Sequence, residues 1–417
     1  KEMGSHFSSV GLHPNERVAE YAIDSLRQLA KKFLEKEELN NYHFQKSFLE
    51  PFKDIMLHVM HEKDGIKHFV LSCMCLFAKQ KITNIRSGWE IIIEILKLAG
   101  EDDNIDLCKE SLDAMEFILK GDNFQYVEEY FDKIIDCLFK FVENIFEDQA
   151  LTALRLIKQV SISLGENEGL IERIIEKRRS DITNKQDKET FKKDQWKTIF
   201  INLSKRSFEP RKRIAEESHN LMFLLLGEYN GKLSCNLWEM ILSELMKSIF
   251  EDLDIKISSK NVTDNDYERH LNTAELIIDN LVNLLDKMEN DKFILSTKTI
   301  FRIFTNFTLQ HVNSPLGVKM IVGMYALVST HNQKFNSELW KEYIQVICQL
   351  FDNKGDKTLL ADPEDTEETK INTTDSRPSI TPSKAIGLYQ TQGIRLLELL
   401  KNIQKTIEFY QNLDNED

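Results

Sequence analysis

His58 and His61 stand one helical turn apart, with His68 following. That spacing holds a metal ion only where further ligands converge, and no cysteine or carboxylate shares it, so the three read as surface histidines on a helix. Cys73 and Cys75 flank Met74 and, in a helix, point to different faces. The chain has no Gly-rich phosphate loop, no Gly-x-Ser-x-Gly elbow, no His-Glu-x-x-His and no Cys-x-x-Cys. These are the usual carriers of phosphate, acyl and metal chemistry. The expectation is a protein without catalytic residues, cofactor or bound metal.

Charge is less evenly spread than these groups. Residues 173 to 213 hold fourteen Lys or Arg against six Asp or Glu, in a chain of net charge −14. Lys177, Arg178 and Arg179 open this belt, and Arg211, Lys212 and Arg213 close it. Such a belt suits anionic lipid headgroups or an acidic protein face; the alternative is a solvated linker and helix surface. Nucleic acid is a poor fit, because the rest of the chain is strongly acidic and no aromatics interleave with the basic residues. If the belt binds, reversing Arg211, Lys212 and Arg213 to Glu weakens binding and leaves the fold intact.

The elements that position these groups are helices. In 417 residues there are 15 Gly and 7 Pro, with 41% hydrophobic and 29% charged residues, a composition of long helices and few turns. Residues 13 to 29 return in degenerate form at 209 to 225. Pro14 aligns with Pro210, Arg17 with Arg213, Val18 with Ile214, Ala19 with Ala215 and Leu29 with Leu225. A helix over about 15 to 37 carries Val18, Ala22, Leu26, Leu29 and Phe33 as one buried stripe. Trp89, Trp196, Trp238 and Trp340 each head a similar apolar segment, and read as core residues of the first helices of successive pairs. Trp196 and Trp238 stand one repeat length apart. The fold class is all-α, an armadillo/HEAT-like helical-repeat solenoid. Its divisions are expected at 1–190, 191–255 and 268–352, then an acidic insertion at 353–385 and a terminal helix at 386–412. The six cysteines (Cys73, Cys75, Cys108, Cys137, Cys235, Cys348) lack a disulfide or zinc spacing and read as buried thiols of a reducing compartment. No signal peptide and no membrane span are evident. The opening at Lys1, inside a helical stretch leading to Phe7, suggests a piece of a longer protein.

Residues 15 to 52, from Asn15-Glu-Arg-Val-Ala-Glu-Tyr through Ser47-Phe-Leu-Glu-Pro-Phe52, and then Asn84-Ile-Arg-Ser-Gly-Trp89, closely resemble the first homology region downstream of the catalytic domain in large Golgi Arf guanine-nucleotide exchange factors, the brefeldin A-inhibited or Sec-seven family. Residues 196 to 252 resemble the following region, 269 to 352 only loosely, and 353 to 417 not at all. That family works through a Leu-Pro-Gly-Glu-like loop, and this chain contains no Pro-Gly pair. The resemblance therefore implies a non-catalytic regulatory and targeting scaffold, cytoplasmic and peripheral on Golgi or trans-Golgi membranes. The partners implied are a small GTPase of Arf or Rab type and the exchange domain of the parent protein, with an anionic membrane surface and a second copy of the chain as further candidates. The alternative is a structural helical-repeat adaptor unconnected with nucleotide exchange. Candidate partner-binding residues are Asn84, Arg86, Ser87, Lys177, Arg178, Arg179, Arg211, Lys212 and Arg213. Asn84 and Ser87 also suit helix capping, and Arg86 suits bonding to neighbouring carbonyls.

Overall fold

The computed structural model describes residues 2–36, 38, 43–59, 63–179, 188–258, 263–310, 315–352 and 401–405. The described residues form helices and turns with no strand, in two compact units, Lys1–Leu221 and Met222–Asp417. The first contains α1 (Glu2–Gly11), α2 (Glu16–Phe33), α3 (Phe44–His58), α4 (Asp64–Lys81), α5 (Gly88–Gly100), α6 (Ile105–Leu119), α7 (Phe131–Glu143), α8 (Glu147–Glu166), α9 (Glu168–Arg179) and α10 (Lys188–Arg206). Helix α11 (Lys212–Tyr229) crosses the division. The second unit continues with α12 (Cys235–Ser258), α13 (Asp264–Asp286), α14 (Asn290–Gln310), α15 (Pro315–His331) and α16 (Ser337–Asp352).

The packing is that of stacked helical pairs. In the first unit each helix meets its partner and the helix two places along: α1, α3, α5 and α7 form one layer, and α2, α4, α6 and α8 form the other. In the second unit α12, α14 and α16 form one layer, with α13 and α15 in the other. Two layers of this kind are the armadillo/HEAT-type arrangement, in which an amphipathic pair buries its flanks only against its neighbours. Helix α9 is an extra element. It interrupts the alternation between α8 and α10, and contacts both of them.

The tryptophans lie where the sequence places them. Trp89 in α5, Trp196 in α10, Trp238 in α12 and Trp340 in α16 are all buried, and α5 and α12 each pair with the helix that follows. The indole N–H of Trp238 donates to Ser296 Oγ at 2.8 Å, joining α12 to α14. Around Trp340 the rings of Phe335, Tyr343 and Phe301 pack tilted or edge-on.

The proline-led echo also holds as structure, since both copies start a helix two residues after the proline. Asn15 caps α2, its side chain accepting from the Arg17 N–H at 3.0 Å. The two copies differ in burial. Ile214 is fully enclosed, whereas Val18 is 37% exposed, and the buried face of α2 is Ala19, Ala22, Ile23, Leu26 and Ala30. Val18 therefore leaves the expected stripe, because no described element covers that side of α2.

Of the six cysteines, Cys73, Cys75, Cys108 and Cys137 are buried and free, but Cys235 and Cys348 are exposed, which corrects the reading of all six as core. Burial pushes the thiols of Cys73 and Cys75 up to about 12, so they stay protonated and unreactive. The acidic insertion at 353–385 lies outside the described residues, as does most of the terminal helix at 386–412. Residues 401–405 of it are helical.

Two glycines make opposite demands. A Cβ on Gly100 would sit 2.7 Å from the Phe141 ring, where α5 meets α7, whereas one on Gly65 meets nothing within 4 Å. Gly100→Ala should cost the first unit about 1–3 kcal/mol through overpacking. Gly65→Ala should gain about 0.5–1 kcal/mol through helix propensity. Urea denaturation of the two variants should move the midpoint in opposite directions.

His219 on α11 is buried, and desolvation lowers its pKa from 6.5 to about 4. The unfolded chain takes up the proton first, so this contribution is whole above about pH 6.5 and is lost as the pH falls toward 4, by up to about 3 kcal/mol. The difference in stability between the native chain and His219→Gln, measured from pH 7.5 to 4.5, should shift against the native chain on acidification. A constant difference would contradict it.

Candidate interaction surfaces

The nine sequence-predicted residues fall on two opposite edges of the first unit. The first edge carries the turns within pairs: α1 to α2, α3 to α4, α5 to α6, α7 to α8 and α10 to α11. The second carries the connections between pairs, together with α9.

On the second edge the α2–α3 connection is fastened to the α4–α5 connection by a carboxylate that the sequence does not advertise. Glu38 is buried, and accepts from the Gln45 N–H at 2.9 Å, the Ser87 N–H at 2.8 Å and Ser87 Oγ at 2.7 Å. Gln45 closes the same junction. Its amide donates to Asn84 O at 2.9 Å and its Oε1 accepts from the Arg86 N–H at 2.7 Å. Asn84 Nδ2 reaches Leu34 O at 3.4 Å. Ser87 precedes α5 but makes no cap bond; its Oγ accepts from the Lys46 N–H at 3.1 Å instead. Asn84 and Ser87 thus stitch one pair to the next rather than capping. Of this trio only Arg86 presents an exposed side chain, while its carbonyl accepts from Tyr130 Oη at 3.3 Å.

That tyrosine leads to the basic cluster on α9, so the structure brings the two groups onto one edge. Glu128 is 1% exposed. Arg173 grips it with Nε at 3.0 Å and Nη2 at 2.9 Å, and Lys177 adds a bond at 3.0 Å. Arg178 donates to Glu129 O at 2.9 Å and to Asp132 at 2.5 Å, and stacks 5.2 Å from the Phe191 ring. The side chain of Arg179 lies outside the described residues. Two cations on one buried carboxylate hold α9 in place, because removing either leaves charge without its partner.

The third cluster lies on the first edge and splits residue by residue. Arg211 turns inward, donating to Val142 O at 2.7 Å and to Asn144 O, the carbonyls that end α7, while pairing with Glu209. Arg213 pairs with Glu147 at 2.9 Å. Lys212, with 86% of its side chain exposed, meets only Glu216 one turn on, at 3.6 Å. Arg206 reaches Glu143 at 2.7 Å. Much of the belt therefore neutralises carboxylates of its own unit, and because Arg211 holds the carbonyls that end α7, reversing it together with Lys212 and Arg213 is expected to weaken the fold as well.

The histidines do not converge. His58 Nδ1 lies 2.8 Å from Asp54 O, His68 lies 3.6 Å from Glu110, and His61 is outside the described residues. No group of metal-ligating side chains occurs among the described residues.

Against known proteins, residues 32–117 match the Sec7-like HDS family, described as Mon2/Sec7/BIG1-like. Those residues are similar to that family's HDS segment. The matched segment of this chain contains the whole Glu38–Gln45–Asn84–Ser87 junction. The chain is 25% identical over 413 residues to brefeldin A-inhibited guanine nucleotide-exchange protein 3 of Arabidopsis thaliana, an alignment covering 90% of this chain and 23% of that protein. It is 38% identical over 160 residues to brefeldin A-inhibited guanine nucleotide-exchange protein 1 of Homo sapiens, covering 37% of this chain and 8% of that one. The alignments thus span between 8% and 23% of the length of these relatives, and the resemblance read from residues 15–52 and 84–89 stands. Among solved structures, a circular tandem repeat protein superposes with a TM-score of 0.41 and 11% identity over 99% of this chain and 97% of its own. No helix of the described residues is long and apolar enough to cross a membrane.

The Glu38 junction and the belt give one contrast to measure. Glu38→Ala strips three donors of their acceptor and Arg211→Ala uncaps α7, each costing about 1–3 kcal/mol. Lys212→Ala should stay within about 0.5 kcal/mol of the native chain. Urea denaturation of the three variants should show that order.

Proposed function

We propose that this chain is a non-catalytic regulatory and targeting scaffold of an Arf guanine-nucleotide exchange factor acting in Golgi vesicular traffic. It binds an activated small GTPase of Arf or Rab type, on or near a membrane surface, and restrains the exchange domain of its parent protein. The observation that supports this most is the HDS match over residues 32–117, together with alignment of most of the chain to exchange proteins of the brefeldin A-inhibited type. A rigid repeat scaffold suits the role physically, since stacked pairs present extended, preformed surfaces and lose little conformational entropy on binding.

The side chains exposed for such contact are Arg86 on the second edge and, on the first, Lys212 and Arg213, the last of these paired with Glu147. The test is a pull-down of the whole chain on Arf- and Rab-type GTPases loaded with a non-hydrolysable GTP analogue or with GDP. Preferential capture of at least one GTP-loaded form is expected. Arg86→Glu, and separately Lys212→Glu with Arg213→Glu, should weaken capture severalfold at low salt with little change in melting temperature. Equal or absent capture of both nucleotide forms across the panel would overturn recruitment by an activated GTPase.

A further inference from the structure

Within the first unit the turn from α5 to α6 and the turn from α7 to α8 lie side by side on the first edge, locked from beneath. Asn144 is buried and donates through Nδ2 to Gly100 O at 2.7 Å and to Asp102 O at 2.8 Å. Its Oδ1 accepts from the Phe146 N–H at 3.1 Å. Asp102 takes a 2.7 Å bond from the buried Lys67, and accepts from the Asn104 N–H at 3.0 Å. Asn104 Nδ2 reaches Asp64 at 2.9 Å, and Arg211 closes the other flank on the carbonyls of Val142 and Asn144. Both turns are therefore fixed before any partner arrives.

From this rigid footing two isoleucines stand out into solvent, Ile105 at 49% exposure and Ile145 at 69%. Packing explains neither: each sits one or three residues from an anchoring asparagine or aspartate, and no described side chain shelters it. Around them the charge is acidic. Glu101, Asp102, Asp103, Asp106, Glu143, Glu147 and Asp148 occupy these turns and the adjoining helix ends. The cations that reach them are Lys67, Lys140, Arg206 and Arg213. The N-termini of α6 and α8 add about half a charge each, so the acids still prevail. Asp103, Asp106 and Asp148 have no ion pair among the described residues. Lys109 lies a turn further along α6, away from the turn itself.

We infer that this edge is a docking surface for a Lys/Arg-rich amphipathic helix of a partner protein. The two turns belong to neighbouring helical pairs, and neighbouring packed helices lie about 8–10 Å apart. Two turns of an α-helix advance about 10.5 Å over seven residues. A helix lying along the edge, with an apolar residue at every seventh position, meets both isoleucines, and basic residues beside that stripe meet the three unpaired aspartates. The apolar pair gives the register, and the charge selects a cationic helix over an anionic membrane or a nucleic acid, which these carboxylates repel. This surface adjoins Arg213, which pairs with Glu147 at its rim, but it does not rest on the GTPase reading.

The experiment uses the full chain and a fluorescent Lys-rich helical peptide of about 21 residues, ~30 Å long, with leucine at every seventh position. A scrambled peptide of equal composition is the reference. Fluorescence anisotropy should show the patterned peptide binding at least tenfold tighter than the scrambled one. Ile105→Ser with Ile145→Ser should remove that preference, and Asp103→Lys with Asp148→Lys should weaken both peptides. Thermal unfolding should be unchanged in the serine pair, since both side chains are exposed. If that pair unfolds early, the lysine pair alone decides, and unweakened binding there overturns the proposal. Equal binding of patterned and scrambled peptides also overturns it, leaving general charge attraction. Tighter binding of phosphatidylserine vesicles than of the peptide overturns it in favour of lipid.

Discussion

A helical pair in this chain has two apolar flanks and can hide each only against another pair. That constraint explains why the tryptophans are buried, why small residues such as Gly100 and Gly323 occur where helices press closest, and why an uncovered flank shows at Val18. It also makes the stack a chain of local contacts, since each pair meets chiefly the pairs on either side. Hydrophobic burial supplies the free energy but not the register, because one apolar stripe slides along another at little cost. Fixing register falls to the turns, where polar groups must be paired in any case.

The two edges meet that need differently. On the first edge the turns are tied by short neutral bonds from Asn144 and Asn104 to backbone and side-chain oxygens, by the buried Lys67–Asp102 pair and by Arg211 on the α7 carbonyls. On the second, Glu38 and Glu128 are buried acceptors, one gathering N–H and O–H donors and the other two cations. A buried carboxylate is costly unless its lone pairs are filled. Glu38 is filled in part by Ser87 from the next connection and Glu128 by two cations of α9, so slippage of either junction would expose unpaired charge. Burial that would be a liability in isolation thus becomes a register device.

Much of this architecture was legible in the sequence. Proline-led starts at Pro14 and Pro210, and indoles heading apolar segments, are local signals, and the helices follow them. Local signals do not report neighbours. Val18 and Ile214 occupy equivalent positions in the echo, yet only Ile214 is covered. Cys235 and Cys348 have the apolar surroundings of the other cysteines in sequence, but stand on the outer side of their helices. Glu38 lies in an ordinary charged run, and nothing at its position marks it as the acceptor for two residues 49 and seven places away in sequence. Glu128 is likewise found only once α9 folds back onto it.

The basic belt shows most clearly what composition alone leaves open. A surplus of cations over forty residues looks like a surface for an outside anion, yet the stack carries its own anions: Glu128, Asp132, Glu143 and Glu147 meet Arg173, Arg178, Arg206 and Arg213. Consecutive residues meet different ends, Arg211 sealing a helix terminus while Lys212 stands in water. A charge already paired inside the fold must be freed before it can bind elsewhere, and that cost comes off any affinity it could add. The surfaces able to bind at least cost are therefore those whose charge and apolar area the fold has not used. On the first unit these lie at the exposed turns beside Ile105 and Ile145 more than along the belt that the sequence makes conspicuous.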